Sequence, residues 1–135
     1  MFHPKNKLYV LPPILIEGIE IEVVQSFKSL GVIFSANLSW DQHINDLIKK
    51  LSKTVGLMRR HCFTFPRAVN ILLYNSLFSS TLNYGALVWG TTSKNNINDL
   101  HLLQKRAIRI ICKAPYLSHT KDMYRQLNIV SVKSM

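Results

Sequence analysis

The side chains of this sequence with the clearest chemical potential are cations at helical spacing. Lys49, Lys53 and Arg60 recur at intervals of four and seven residues, and Lys105, Arg106, Arg109 and Lys113 recur similarly further along. At about 100° per residue each set occupies one side of a helix, which suits the repeating charges of a sugar-phosphate backbone and carries no base specificity. Catalysis is not expected from this chain. Asp41, Asp46, Asp99 and Asp122 stand singly, and without an Asp-x-Asp or Asp-x-Glu cluster no site holds the paired Mg²⁺ ions of nucleotidyl transfer. His3, His43, His61, His101 and His119 make no His-x-x-x-His pair, and Cys62 and Cys112 make no Cys-x-x-Cys pair. No metal ligand set or phosphate loop is therefore read here. His43 is taken as a structural histidine and both cysteines as inert thiols. Trp40, Tyr74, Tyr84 and Trp89 sit on or beside apolar stripes and are read as core rather than as base-stacking platforms.

The charge is unevenly placed. Residues 1–46 carry three basic and five acidic side chains, net −2, whereas residues 47–135 carry fourteen and two, net +12. A solvated face normally mixes both signs, so this excess points to a polyanion: nucleic acid first, with an anionic membrane surface or an acidic protein as alternatives. The length of 135 residues allows one main core and excludes a multidomain enzyme. With 47% hydrophobic and 18% charged residues, the chain is too apolar to be a disordered basic tail. Two cysteines make no disulfide scaffold, so an intracellular setting, cytoplasm or nucleus, is expected. Pro12 and Pro13 interrupt the first apolar run, and no secretory signal is read.

The elements that must position these residues follow from periodicity. Ile14 to Ile16 and Ile19 to Val24 flank Glu17-Gly18, which predicts a β-hairpin with isoleucines on one face and glutamates on the other. Phe27 to Phe34 reads as a third apolar strand, with Gly31 inside it as a bulge or a close backbone approach. From Ser39 the period becomes 3.6. Ser39 and Gln42 have the form of a capping box, opening a helix whose apolar stripe is Ile44, Leu47, Ile48, Leu51, Val55 and Met58. Pro66 suits the first turn of a second helix carrying Ile71, Leu72, Tyr74, Leu77 and Phe78. Residues 68–93 contain no charge, but polar residues interrupt the run, so two buried helices broken near Ser79 to Asn83 are expected rather than a membrane span. Ser93 caps another long helix to about Cys112, with Leu100, Leu103, Ala107, Ile110 and Ile111 on one stripe and the cations opposite. Pro115 stops it, Thr120 and Asp122 start a short last helix through Leu127, and the remaining tail reads as strand-like.

Four motifs occur in one order: Phe27-Lys28-Ser29-Leu30-Gly31-Val32; Leu38-Ser39-Trp40 with His43-Ile44; Tyr74, Ser76-Leu77, Leu82, Tyr84-Gly85 and Trp89-Gly90; and Leu103-Gln104-Lys105-Arg106-Ala107-Ile108-Arg109. Together they resemble the C-terminal region of the reverse transcriptases of jockey-like, LINE-type non-LTR retrotransposons, over about residues 5–130. The family carries an aromatic residue where this chain has Ser29. The resemblance implies that the Phe27–Gly31 segment corresponds to the last palm hairpin near the primer terminus, which adds Lys28 to the candidate nucleic-acid contacts. It implies that the helices correspond to the thumb, and that the catalytic Ala-Asp-Asp motif, with its Mg²⁺, lies upstream.

The expected architecture is α+β, mostly α: short antiparallel strands over residues 1–36, then a thumb-like helical bundle over 37–135. The expected role is a reverse-transcriptase fragment that binds RNA, DNA or their hybrid through phosphates and holds no cofactor itself. Its other partners would be the missing palm and fingers, with no membrane involved. A helical protein-interaction module, or a relic without a nucleic-acid role, is the alternative.

Overall fold

The computed structural model describes residues 12–134, and the reading of the first residues as no signal lies outside them. The chain divides into two compact units, residues 1–43 and 44–135.

In the first unit, β1 (Leu15–Ile16) and β2 (Ile19–Glu20) pair antiparallel, with Ile16 opposite Ile19. Glu17 at φ 50 and Gly18 at φ 80 make the two-residue turn with both φ positive that matches strand twist. The strands end at Glu20, with one further bond from the Ile21 amide to the Ile14 carbonyl at 2.9 Å. Ile19, Ile21 and Val23 stay exposed, so the alternation makes a two-sided ribbon without a buried face. The single strand expected over Phe27 to Phe34 is instead a second hairpin, β3 (Ser26–Ser29) and β4 (Val32–Ser35). Leu30 at φ 47 and Gly31 at φ 81 turn it. Gly31 is thus a reversal and not a bulge, because only a turn needs two successive positive φ values. Val32 is buried, and the Ile33 amide donates to His43 Nδ1 at 3.3 Å, as a structural histidine should accept.

Helix α1 (Asp41–His61) opens after Ser39. Its start differs from a capping box: Ser39 Oγ accepts from the Asp41 amide at 3.2 Å, while Gln42 Oε1 accepts from Ser35 Oγ at 3.4 Å. The Ser39 amide donates instead to Asn37 Oδ1 at 3.0 Å.

In the second unit, α1 buries Ile44, Leu47, Leu51, Val55 and Met58, the stripe read from its period, with Ile48 at the edge. Pro66 precedes α2 (Arg67–Leu73), its carbonyl accepting from the Val69 and Asn70 amides. The chain continues without a break through a π-helical turn (Tyr74–Ser79) into α3 (Ser80–Asn83). The hydroxyl of Ser76 donates to the Leu72 carbonyl at 2.8 Å, and that of Ser80 donates to the Ser76 carbonyl. Hydroxyl donation to carbonyls four residues back lets the widened turn keep its oxygens satisfied. The break expected at Ser79 to Asn83 therefore moves to Tyr84-Gly85, where Gly85 takes φ 66 before α4 (Ala86–Trp89). A Cβ at Gly90 would stand 2.5 Å from the Ala86 carbonyl oxygen, so the chain there admits only glycine without shifting. Of the expected apolar positions in this stretch, Tyr74 and Phe78 are buried and stack at 5.1 Å, but Leu72 and Leu77 are exposed.

Helix α5 (Lys94–Ile111) is the axis of the unit. Ser93 caps it as expected, accepting from the Asn96 amide at 3.3 Å. Leu100, Leu103, Ala107, Ile108 and Ile111 are buried, with Ile108 replacing Ile110 in the stripe. It packs against α2, α6 (Lys121–Leu127) and a C-terminal 3₁₀ turn (Val132–Ser134). That turn replaces the strand-like tail. Its Val132 amide donates to Gln104 Oε1 at 2.9 Å, so a polar anchor on α5, and not a neighbouring strand, takes its backbone. No helix among the described residues is long and apolar enough to cross a membrane.

Candidate nucleic-acid interface

Helices α1 and α5 flank a groove of about 860 Å³ in the second unit. Its cations are Arg59 from α1, Arg106 and Arg109 from α5, and Lys113. Each arrives there for a local reason. Arg59 is one residue past buried Met58, which turns it toward the flank of α1 and away from the Lys49 stripe. Arg106 and Arg109 lie three apart and so share a side of α5. Lys113 lies just beyond the helix, past the cap residue Cys112, at φ 51, with the Ala114 amide donating to the Arg109 carbonyl at 2.9 Å. Lys113 was expected on the helical stripe; it reaches the groove instead from the left-handed residue that closes the helix.

Arg109 has a second task. Its Nε donates to the Ser118 carbonyl at 2.9 Å and its guanidinium lies 5.9 Å from the centre of the Tyr116 ring. It is half-buried and ties the turn after Pro115 to α5, so it does not simply point away from the core as its position opposite the apolar stripe implied.

The other expected cations are placed apart. Lys105, half-exposed, lines a neighbouring hollow of about 580 Å³ together with Arg109, His101 and Lys121. Lys49, Lys53 and Arg60 fall within about 40° of one another opposite the buried stripe of α1, exposed and outside the groove. Lys28 is exposed on β3 of the first unit. Among the described residues no ion pair joins Arg59, Arg106, Arg109 or Lys113 to a carboxylate; Lys50 pairs with Asp46 at 2.9 Å, a local helical pair. No group of three His, Cys, Asp or Glu side chains able to hold a metal ion occurs among the described residues.

Three residues matter here that periodicity did not single out. Arg59 follows the apolar stripe residue Met58 on α1, and only the groove it shares with residues of α5 gives it a role. Tyr116 sits in a turn, where no period exists to read. Gln104, in the middle of a cationic helix, is buried, and all four hydrogen-bonding positions of its amide are used. Nε2 donates to Tyr74 Oη at 3.0 Å and to the Val130 carbonyl at 2.9 Å; Oε1 accepts from Tyr124 Oη at 3.1 Å and the Val132 amide at 2.9 Å. Burial pushes the Tyr124 phenol far above its usual value, with Tyr74 adding to it and Arg109 opposing, and burial also raises Tyr74. Both hydroxyls thus remain protonated and keep the network intact. The network holds α5, α6 and the final turn in the register that presents the arginines. Of the four aromatic residues assigned to the core, Tyr74 and Trp89 are buried, Trp40 is half-buried and Tyr84 is exposed.

In sequence the chain is similar to RNA-directed DNA polymerases of mobile elements. The chain is 28% identical over 129 residues to the RNA-directed DNA polymerase from mobile element jockey of Drosophila melanogaster, covering 92% of this chain and 14% of that protein. It is 25% identical over 127 residues to the probable RNA-directed DNA polymerase from transposon BS of the same fly, with 92% and 14% covered. The probable RNA-directed DNA polymerase from transposon X-element is 22% identical over 126 residues, with 90% and 14% covered. Over 90–92% of its length the chain is thus similar to one segment of the RNA-directed DNA polymerases of such mobile elements, the family its motifs resemble. It spans about a seventh of the length of these curated relatives. No protein-family model and no solved structure matches it.

Proposed function

We propose that this chain is the thumb-like segment of such a polymerase and grips RNA, DNA or an RNA–DNA hybrid by its phosphates. The catalytic palm and the fingers, with their Mg²⁺, belong to other parts of the polymerase. The observation that carries this reading is the meeting of Arg59, Arg106, Arg109 and Lys113 in one groove with no carboxylate among the described residues paired to them. Lone cations on a surface favour dispersed counterions; four in one concavity favour a polyanion that releases those counterions on binding. Lys49, Lys53, Arg60 and Lys105 extend the positive surface along the same two helices, and Lys28 supplies a contact on β3. Titration of the chain with an RNA–DNA hybrid at several salt concentrations tests the reading. With six to ten phosphates neutralised, affinity drops about 10³- to 10⁵-fold between 50 and 200 mM salt. Binding that is undetectable or indifferent to salt refutes it.

One observation favours a second reading. Leu72 and Tyr84 are exposed and Leu87 is fully so, on a stretch without charge. Exposed apolar side chains of this kind suit a protein partner. Partners captured by the chain that persist after nuclease digestion support an interaction module; partners lost on digestion were bridged by nucleic acid.

A further inference from the structure

Two exposed aromatic rings stand at the cationic groove. Phe63 lies on the turn after α1, where the Thr64 and Phe65 amides both donate to the His61 carbonyl, at 3.1 and 3.0 Å. That turn sends its two phenylalanines to different places. Phe65 stacks on His61 at 5.2 Å, whereas Phe63 is 86% exposed and lines the groove. Tyr116 lies on the turn closed by the bond from the Ser118 amide to the Pro115 carbonyl at 3.0 Å. Arg109 lies over its ring, and 64% of the residue remains exposed, at the same groove.

The two turns are distant in sequence and each leaves a large ring mostly exposed to water. Four cations line the same groove as these rings. A duplex would engage the cations, but its base faces are already stacked on one another and have nothing to offer a ring. A single strand presents both kinds of group, phosphates and free base faces, and binds by cationic grooves with aromatic platforms.

We propose that the groove takes a single-stranded stretch of nucleic acid, its phosphates on Arg59, Arg106, Arg109 and Lys113 and its unpaired bases against Phe63 and Tyr116. This rests on the nucleic-acid reading above and adds to it which form of nucleic acid enters the groove. Duplex contacts then belong to the lysines outside it, Lys49 and Lys53 among them.

The test compares a short single strand with a blunt RNA–DNA hybrid of the same length, by fluorescence anisotropy on the full chain. The single strand binds tighter, and its affinity falls with salt at a logarithmic slope of about −3, from −0.7 for each of four phosphates. Phe63→Ala and Tyr116→Ala each weaken the single strand about tenfold and leave the hybrid unchanged, while Tyr116→Phe, which keeps the ring, retains the affinity. Circular dichroism of each variant reports whether the fold is kept. Equal affinity for the two ligands, or aromatic variants that affect both alike or neither, overturns the single-strand assignment and leaves phosphate binding standing. Failure of both ligands to bind at low salt overturns the nucleic-acid reading itself.

Discussion

Gln104 Nε2 donates to Tyr74 Oη at 3.0 Å, joining the π-helical turn to α5 across thirty residues of sequence. With the bonds to Val130, Tyr124 and Val132, this one carboxamide ties four segments of the second unit together. A buried amide with every position satisfied rigidifies a core, whereas the same site with the amide removed leaves several polar groups without partners.

Gln104→Leu should therefore destabilise the chain by about 3 kcal/mol, more than a typical surface change, because each stranded buried group costs about 1–3 kcal/mol before relaxation. Urea unfolding measures it. A loss below about 1 kcal/mol would mean that water reaches the carboxamide and that the final turn is not docked on it.

Arg106 and Arg109 should separate. Arg106 is exposed and lines the groove, so Arg106→Ala weakens nucleic-acid binding and leaves stability within about 0.5 kcal/mol. Arg109→Ala weakens binding and also costs about 1 kcal/mol of stability, because the Ser118 carbonyl and the Tyr116 ring lose their partner. Equal stabilities for the two variants would show that the Arg109 contacts do not hold the turn.

Lys113 offers the opposite sign. It holds φ 51 at the end of α5, a conformation in which a side chain is strained and glycine is not. Lys113→Gly is expected to raise stability by up to about 1 kcal/mol while weakening polyanion binding. Thermal melts and anisotropy titrations on the same variant read the two effects, and a variant that loses both stability and affinity contradicts the assignment.

His101 makes stability depend on pH. Burial, then Lys105 and Lys133, hold its imidazole below the usual histidine range. The folded state thus resists the proton that the unfolded chain accepts near pH 6.5. Its stabilising contribution is complete above that value and is lost progressively as pH falls through it toward the lower folded pKa. Urea midpoints measured at about pH 7.5 and pH 5.5 should drop on acidification, and His101→Gln should reduce the drop. An unchanged drop would place the titrating group elsewhere.

Much of the fold is legible in the residues because its signals are local. Glu17-Gly18 turns with the glycine supplying one of its two positive φ values at little cost, Ser93 caps the helix it precedes, and the stripes of α1 and α5 follow a period that only one face can bury. The failures are also instructive. Leu30-Gly31 turned a run read as one strand, because an exposed leucine took the left-handed conformation that sequence rules reserve for Gly or Asn. Leu72 and Leu77 were assigned to the core on apolarity alone, but the π-helical turn and the packing of Tyr74, Phe78 and Leu82 left them outside.

For the candidate site the division is sharper. Composition and a period of 3.6 suffice to show that the later part of the chain is cationic, that its lysines and arginines lie on helices, and that no carboxylate cluster accompanies them. Which cations meet depends on packing. Arg59 lines the same groove as Arg106, Arg109 and Lys113, with Phe63 and Tyr116, because residues of α1, of α5 and of two turns border one concavity. Contacts between residues so far apart depend on the relative placement of helices, which a linear pattern does not encode. Charge and period are properties of segments; a groove is a property of their packing.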